Sequence, residues 1–260
     1  LCLVVTFWFL SPFAVDWHRV YRPASLGILS GQSPYQSGLY ANAPWTLIPL
    51  IPLALLPEGL GRGILAVACL VTVAYTAWKF GAKPVAIAAI LLSPPVVQLM
   101  MDGNIDWMVL LGFVLPPQIG LFFISIKPQV GIAVALYWLV ESYRKGGFLE
   151  VVKVFAPFTV VLGASFLVYG LWPLNFSLAL GWDGNASLWP VSLPIGLVLL
   201  YRSIKNRDIN AAVAASPCFS PYLLLQSYVG LFVALGRWTA ETVIAVIGLW
   251  GVVVIRALGG

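Results

Sequence analysis

Residues Gly61–Trp78 read GRGILAVACLVTVAYTAW, one arginine near the start and then sixteen residues without a charge. A crossing α-helix needs about 20 largely apolar residues, and a helix apolar on every side has to be buried in protein or in lipid. Runs of the same kind recur at Pro84–Met101, Gly120–Val140, Phe148–Gly170, Pro190–Tyr201 with its flanks, Ser220–Leu235 and Thr239–Ile255. Leu1–Ala14 reads as a partial span, the remainder of a first membrane helix: it lacks the basic start and the cleavage site of a signal peptide. Thr46–Leu56 is short and interrupted by Pro49 and Pro52, and Ile105–Leu115 is short and stopped by Pro116-Pro117. The expectation is an all-α, polytopic helical membrane protein of about eight to ten membrane segments, some broken or re-entrant, in one transmembrane domain over residues 1–260.

The composition agrees. Of 260 residues, 61% are hydrophobic and 9% charged, with mean hydropathy +0.96, against about 25% charged in a soluble domain. A transmembrane barrel would show short alternating segments instead. The net charge of +5 lies in loops and fits the basic enrichment of cytoplasmic loops rather than a nucleic-acid surface. Cys2, Cys69 and Cys218 are far apart in apolar context, so they read as small hydrophobes. One histidine and no H-E-x-x-H motif leave little for a zinc site. No glycine-rich nucleotide loop and no internal repeat is found.

Breaks at Ser93-Pro94-Pro95, Lys127-Pro128 and Ser216–Pro221 suggest a polar cavity, because loose backbone at membrane depth must face protein or water; packed kinks are the plainer explanation. Lys79–Lys83, Glu141–Gly147 and Arg202–Asp208 are basic and read as cytoplasmic. Asp16–Trp45 and Leu171–Trp189 are Trp-rich and lysine-poor, and read as belonging to the opposite face. Strict alternation does not satisfy all of these assignments, so at least one short segment has to be re-entrant.

The most polar stretch is Asp16-Trp17-His18-Arg19-Val20-Tyr21-Arg22-Pro23, directly after an apolar run. Ionisable groups are costly there and mark candidate function. Together Asp16, Tyr21, Ala24, Gly31, Pro34, Tyr35, Asn42, Pro44, Trp45 and the run Pro52 to Pro57 resemble the start of GT-C-type membrane glycosyltransferases, closest to glycosyltransferase family 87 with its polyprenyl-phosphate-mannose-dependent mannosyltransferases. Gly103-Asn104-Ile105-Asp106, Ile126-Lys127-Pro128-Gln129 and Ser216–Tyr222 are similar to later motifs of that family. The likeness covers roughly residues 10 to 235; the chain is shorter than typical members.

The resemblance implies a GT-C-like fold and inverting transfer of a hexose, mannose-like, from a polyprenyl-phosphate donor to an exoplasmic glycan or glycolipid acceptor. The active site would lie in a first exoplasmic loop over residues 15–45. It makes Asp16 the catalytic base that deprotonates the acceptor hydroxyl. Arg19, Arg22 and Lys127 become the cations for the leaving phosphate, and His18, Tyr35, Asn104 and Asp106 further substrate-binding residues. The setting implied is a bacterial plasma membrane, with membrane lipids as surroundings and no nucleic acid. Plainer readings stand beside these: an Asp16–Arg19 interfacial ion pair, arginines snorkelling to lipid phosphates, a wet interfacial His18 and a structural ion pair for Lys127. Asp102 and Asp106 suit helix N-capping or a divalent ion, but their spacing demands no metal, and no cofactor is required. Trp17, Trp45 and Trp107 could stack on a sugar or line an interface. Asn175-Phe176-Ser177 and Asn185-Ala186-Ser187 match a glycosylation sequon and carry little weight. The alternatives to the enzyme are a non-catalytic subunit of a larger membrane complex, a degenerate homologue, or a transporter or flippase.

Overall fold

The computed structural model describes residues 2–10, 14–181 and 184–259, and the regular structure of the described residues is all helical, with no strand. Of the partial span expected at Leu1–Ala14, residues 1 and 11–13 lie outside the described residues, as do residues 182 and 183 of the second Trp-rich loop. Helix α1 (Cys2–Leu10) packs antiparallel to the long α4 (Glu58–Lys79). The contact is close because α4 begins with glycine at every second position. A Cβ on Gly59 would stand 2.4 Å from the Trp8 ring, and one on Gly63 would stand 2.7 Å from the Val4 carbonyl, the small-residue packing that membrane helices favour.

Between these helices, the expected first loop begins and ends in helical turns. A π-turn over Trp17–Tyr21 runs straight into α2 (Arg22–Leu29), and a 3-10 segment Pro44–Leu50 leads into α3 (Ile51–Ala54). Trp17, Leu47 and Leu50 are fully buried. The two ends of the segment thus enter the core, while residues 30–33 and 36–39 between them are exposed.

Beyond α4, helices α5 (Pro84–Leu91) and α6 (Pro94–Asp102) form one apolar rod bent by 50° at Ser93-Pro94. Proline removes an N–H, and the carbonyl it frees needs another donor. The Leu92 carbonyl accepts from the Trp250 indole at 2.8 Å, and that of Ile90 from the Ser93 hydroxyl at 2.6 Å. Next come α7 (Asp106–Val114) and α8 (Pro117–Ile124), antiparallel and in contact, with a Cβ on Gly112 falling 2.7 Å from Phe123. At 1.5 Å per residue each is about 13 Å long, under half the roughly 30 Å apolar thickness of a bilayer. This hairpin has the shape of the re-entrant segment that alternation calls for.

The 42-residue α9 (Pro128–Tyr169) is two arms meeting at Gly146-Gly147, where Gly147 has φ +63°. The basic loop expected at Glu141–Gly147 is thus reduced to a kink. The span expected from Gly120 to Val140 is split by Lys127-Pro128 between α8 and α9. After a 3-10 segment, Trp172–Gly181, follow α10 (Leu193–Asn206), α11 (Ile209–Ala215), α12 (Val229–Leu235) and α13 (Thr239–Gly259), with 3-10 turns at Ser216–Phe219 and Leu225–Tyr228.

Among the described residues three helices are long and apolar enough to cross a membrane: Glu58–Lys79, Pro128–Tyr169 and Thr239–Leu258. The bent α5–α6 pair makes a fourth. Fewer helices pass that test than the eight to ten segments expected: the two arms of α9 count as one helix, and other apolar runs are broken into pieces of 17 residues or fewer. An outer face with Leu167, Val168, Ile255 and Leu258 more than two-thirds exposed is what lipid contact requires. The whole is consistent with a helical membrane protein.

The bundle has two unlike ends. At one, Gly81 lies against Arg237, Phe80 against Phe113, and Arg144 reaches the Ile204 carbonyl. This end gathers Lys79, Lys83, Arg144, Lys145, Lys205, Arg207 and Arg237. At the other, Trp17 meets Gly61, Tyr35 meets Tyr169, and Ala186 meets Leu223.

Candidate functional site

The end opposite the basic loops holds a chain of polar side chains drawn from four separate stretches of sequence. Asp16 Oδ2 accepts from Asn104 Nδ2 at 2.5 Å. Asn104 Oδ1 accepts from Lys127 Nζ at 2.8 Å and from the Ile105 N–H at 2.6 Å. Lys127 also forms an ion pair with Asp106 Oδ1, and Asp106 Oδ2 accepts from the Ser227 hydroxyl at 2.7 Å. Asn104, Asp106, Lys127 and Ser227 are all buried, and Asp16 is partly exposed.

Local backbone chemistry puts each group in place. Helix α6 closes in a Schellman motif, with Gly103 N–H on the Met100 carbonyl and Asn104 N–H on that of Leu99. Gly103 has φ +65°, and a Cβ there would fall 2.8 Å from both Ala14 and Trp17 Cβ. Only glycine fits on both counts, and the tight approach lays Asn104 against Asp16. Lys127 precedes Pro128 and so is held out of helical geometry, at φ −134° and ψ 86°. It leaves the backbone between α8 and α9 and points to the start of α7. Because Asn104 Oδ1 is occupied by two donors, its amide is oriented and Nδ2 faces Asp16.

Burial raises the carboxyl of Asp16 above the usual carboxylate range; the charge of Lys127 and the Asn104 hydrogen bond pull it back without cancelling the effect. Among the described residues Asn104 is the one hydrogen-bond partner of Asp16, so Oδ1 is free to take a proton. The groups border a narrow cavity of about 60 Å³, room for a water molecule or two. Tyr222, buried with its hydroxyl unpartnered, also lines it, as do Phe176, Asn42 and Leu39.

Of the residues singled out from sequence, Asp16, Asn104, Asp106 and Lys127 meet here. The others are placed differently. His18 is not among the residues lining the cavity and joins its Nδ1 to Glu58 Oε1 at 2.5 Å. Arg19 is exposed and forms no ion pair with Asp16; Arg22 is half-buried with its Nε lacking a partner. Tyr35 stacks on Trp172 and donates to the Asn42 carbonyl at 2.9 Å, so its hydroxyl supports the wall of the cavity.

Neither Asp102 nor Asp106 is an N-cap. Ile105 holds the cap position of α7 without a side-chain bond, Asp102 ends α6, and both oxygens of Asp106 face Lys127 and Ser227. Among the described residues no group of three or more His, Cys, Asp or Glu is placed to hold a metal ion. Sugar stacking on Trp17 or Trp107 is also ruled out as placed: both are buried in the core. Trp45 is tied by its indole to the Phe122 carbonyl. Asn185 is pinned to Pro221 and Leu223, and the side chain of Ser177 lies outside the described residues.

Sequence reasoning did not single out Ser227. Its only signal is the polar pair Gln226-Ser227 inside an apolar run. No family model matches the chain, and neither a curated protein nor a solved structure was found to match it.

Proposed function

We propose that this chain is an integral-membrane glycosyltransferase of GT-C type, closest to family 87, residing in a bacterial plasma membrane. It transfers a mannose-like hexose from a polyprenyl-phosphate donor to an exoplasmic glycan or glycolipid with inversion. The observation that carries the reading is Asp16: a carboxylate of raised basicity with one oxygen oriented by buried partners and the other free at a cavity edge. The reading takes the basic end as the cytoplasmic side, in keeping with the basic enrichment of cytoplasmic loops, and Asp16 as belonging to the exoplasmic side.

In this mechanism the acceptor hydroxyl attacks the anomeric carbon while its proton passes to Asp16 Oδ1. The bond between that carbon and the phosphate oxygen breaks, and polyprenyl phosphate leaves with the electron pair. Lys127 is occupied by Asp106 and Asn104, so its role is to position Asn104. Arg22 and Arg19 are the cations left to meet the phosphate. A cavity of about 60 Å³ holds no hexose, so substrate entry has to displace part of the wall at Leu39, Phe176 or Tyr222. That same closed volume favours the second reading, a non-catalytic membrane subunit in which the buried pair is structural.

The test is transfer of radiolabelled mannose from polyprenyl phosphate in proteoliposomes, wild type against Asp16→Asn. Loss of about 100-fold or more with an unchanged melting temperature supports the enzyme. Equal transfer by both removes Asp16 from the chemistry, and no transfer by wild type with mannose or glucose donors supports the subunit.

A further inference from the structure

A groove separate from the Asp16 cavity lies at the basic end, between α10, α11 and α12. It has a volume of about 410 Å³, within the range of small-molecule sites. Its sides are α10 and α12 and its floor is the short α11. Leu199, Leu231 and Leu235 line the walls, and Ala211 and Ala214 give it depth. No side chain of this protein among the described residues fills the apolar part.

The rim is different chemistry. Arg202 stands exposed one turn before the end of α10 and has no hydrogen bond or ion pair among the described residues. Arg237 lies 4.0 Å over the Trp238 ring and pairs with Asp208 at 2.8 Å. Two guanidiniums against one carboxylate leave the rim positive. Beside them Asn210 uses its amide nitrogen on Asp208, while its Oδ1 is buried without a donor. An acceptor buried beside an unpaired cation asks for a ligand that carries both a negative charge and a hydroxyl.

We infer that this groove is a binding site for an anionic glycerophospholipid with a hydroxyl-bearing headgroup. One acyl chain lies between α10 and α12, the phosphate rests against Arg202 and Arg237, and a headgroup hydroxyl donates to Asn210 Oδ1. The geometry matches the general pattern in which basic pockets between membrane helices hold acidic headgroups. Trp238, nearly half exposed at the rim, supplies the interfacial anchor such a site uses. The site is independent of the glycosyltransferase reading: it needs only that the protein sits in a bilayer.

The experiment is native mass spectrometry of the full chain in detergent, titrated separately with phosphatidylglycerol, phosphatidylcholine and inorganic phosphate. Phosphatidylglycerol is expected to stay bound at activation energies that strip phosphatidylcholine, and phosphate alone is expected not to compete. Arg202→Gln, an exposed change, should weaken the phosphatidylglycerol complex about 5-fold, the effect of one cation near an acidic headgroup. Ala211→Phe should fill the groove and abolish it. Lys205→Gln, whose ammonium sits over Tyr201 outside the groove, should leave it unchanged. Equal retention of the two lipids, full competition by phosphate, or equal weakening by Lys205→Gln would each overturn the site in favour of an unspecific basic surface.

Discussion

The two ends of the bundle carry similar kinds of charge and use them in opposite ways. At the Asp16 end, Lys127 and Asp106 are buried, touch one another, and spend every remaining contact on Asn104 and Ser227. At the basic end, Glu141 pairs with Arg144 at 2.7 Å and Arg207 at 3.8 Å, and Glu150 with Lys145 and Lys153, with the lysine side chains over two-thirds exposed. Water and salt screen the second group, so its geometry is loose and its loss is cheap. Nothing screens the first. The lesson is that the number of ion pairs says little here, and the medium around them says most.

The contrast can be broken or sharpened by substitution. The largest effect expected is the loss of transfer of about 100-fold or more in Asp16→Asn, and the pH profile gives it a finer form. Because the carboxyl of Asp16 is raised by burial, the acid limb of kcat/KM should lie above the usual carboxylate value of about 3.9. The stability sign follows from the same shift. The folded state binds the proton more tightly than the unfolded one, so the contribution of Asp16 is full at low pH and fades as pH rises through the raised value. Melting of wild type should therefore fall relative to Asp16→Asn over that interval, and parallel curves would remove the burial argument.

Next is the buried pair. Lys127→Met leaves Asp106 unpaired in the core and should cost about 3–5 kcal/mol by chemical denaturation in detergent. Lys127→Met with Asp106→Leu should recover most of that. Additive losses in the double variant would show that the two do not act as a pair. Smaller again is Gly103→Ala. A left-handed residue with a Cβ in contact range of Ala14 and Trp17 should lose about 1–3 kcal/mol and loosen Asn104 from Asp16. An unchanged melting temperature would deny that the turn sets the site. At the far end, Glu141→Gln should change stability by less than about 1 kcal/mol, and by less still in high salt. A loss as large as that of Lys127→Met would erase the distinction between the ends.

Much of this was legible in the chain. A lysine and an aspartate inside apolar runs are so costly that their pairing can be foreseen, and Asp16, Asn104, Asp106 and Lys127 do converge. The proline breaks were visible, but their consequence was not. A Ser-Pro or Lys-Pro dipeptide says that helical bonding stops, without saying whether the chain bends by 50°, as at Ser93, or reverses, as at Lys127. Ser227 was missed because a hydroxyl in a helix is cheap enough to need no reason. The tryptophans misled in the other direction. The indoles of Trp17 and Trp107 suggested stacking surfaces, whereas their apolar area is buried in the core. Glu58 was not foreseen as the partner of His18, since forty residues separate them and neither group is costly where it is half-exposed.

The short hairpin of α7 and α8 bears on how the chain enters a bilayer. Asp106 opens the hairpin and Lys127 follows it closely, only 21 positions later. Both are present as soon as that stretch has left the ribosome, long before Ser227 is made. Paired across the feet of the hairpin, they let it partition as a neutral unit. Either charge alone would add about 2.5–3.5 kcal/mol to the insertion cost of a centrally placed residue. A substitution at one of them would then reduce the yield of inserted protein as well as its stability, and replacing both with apolar residues would restore insertion while leaving Asn104 unsupported.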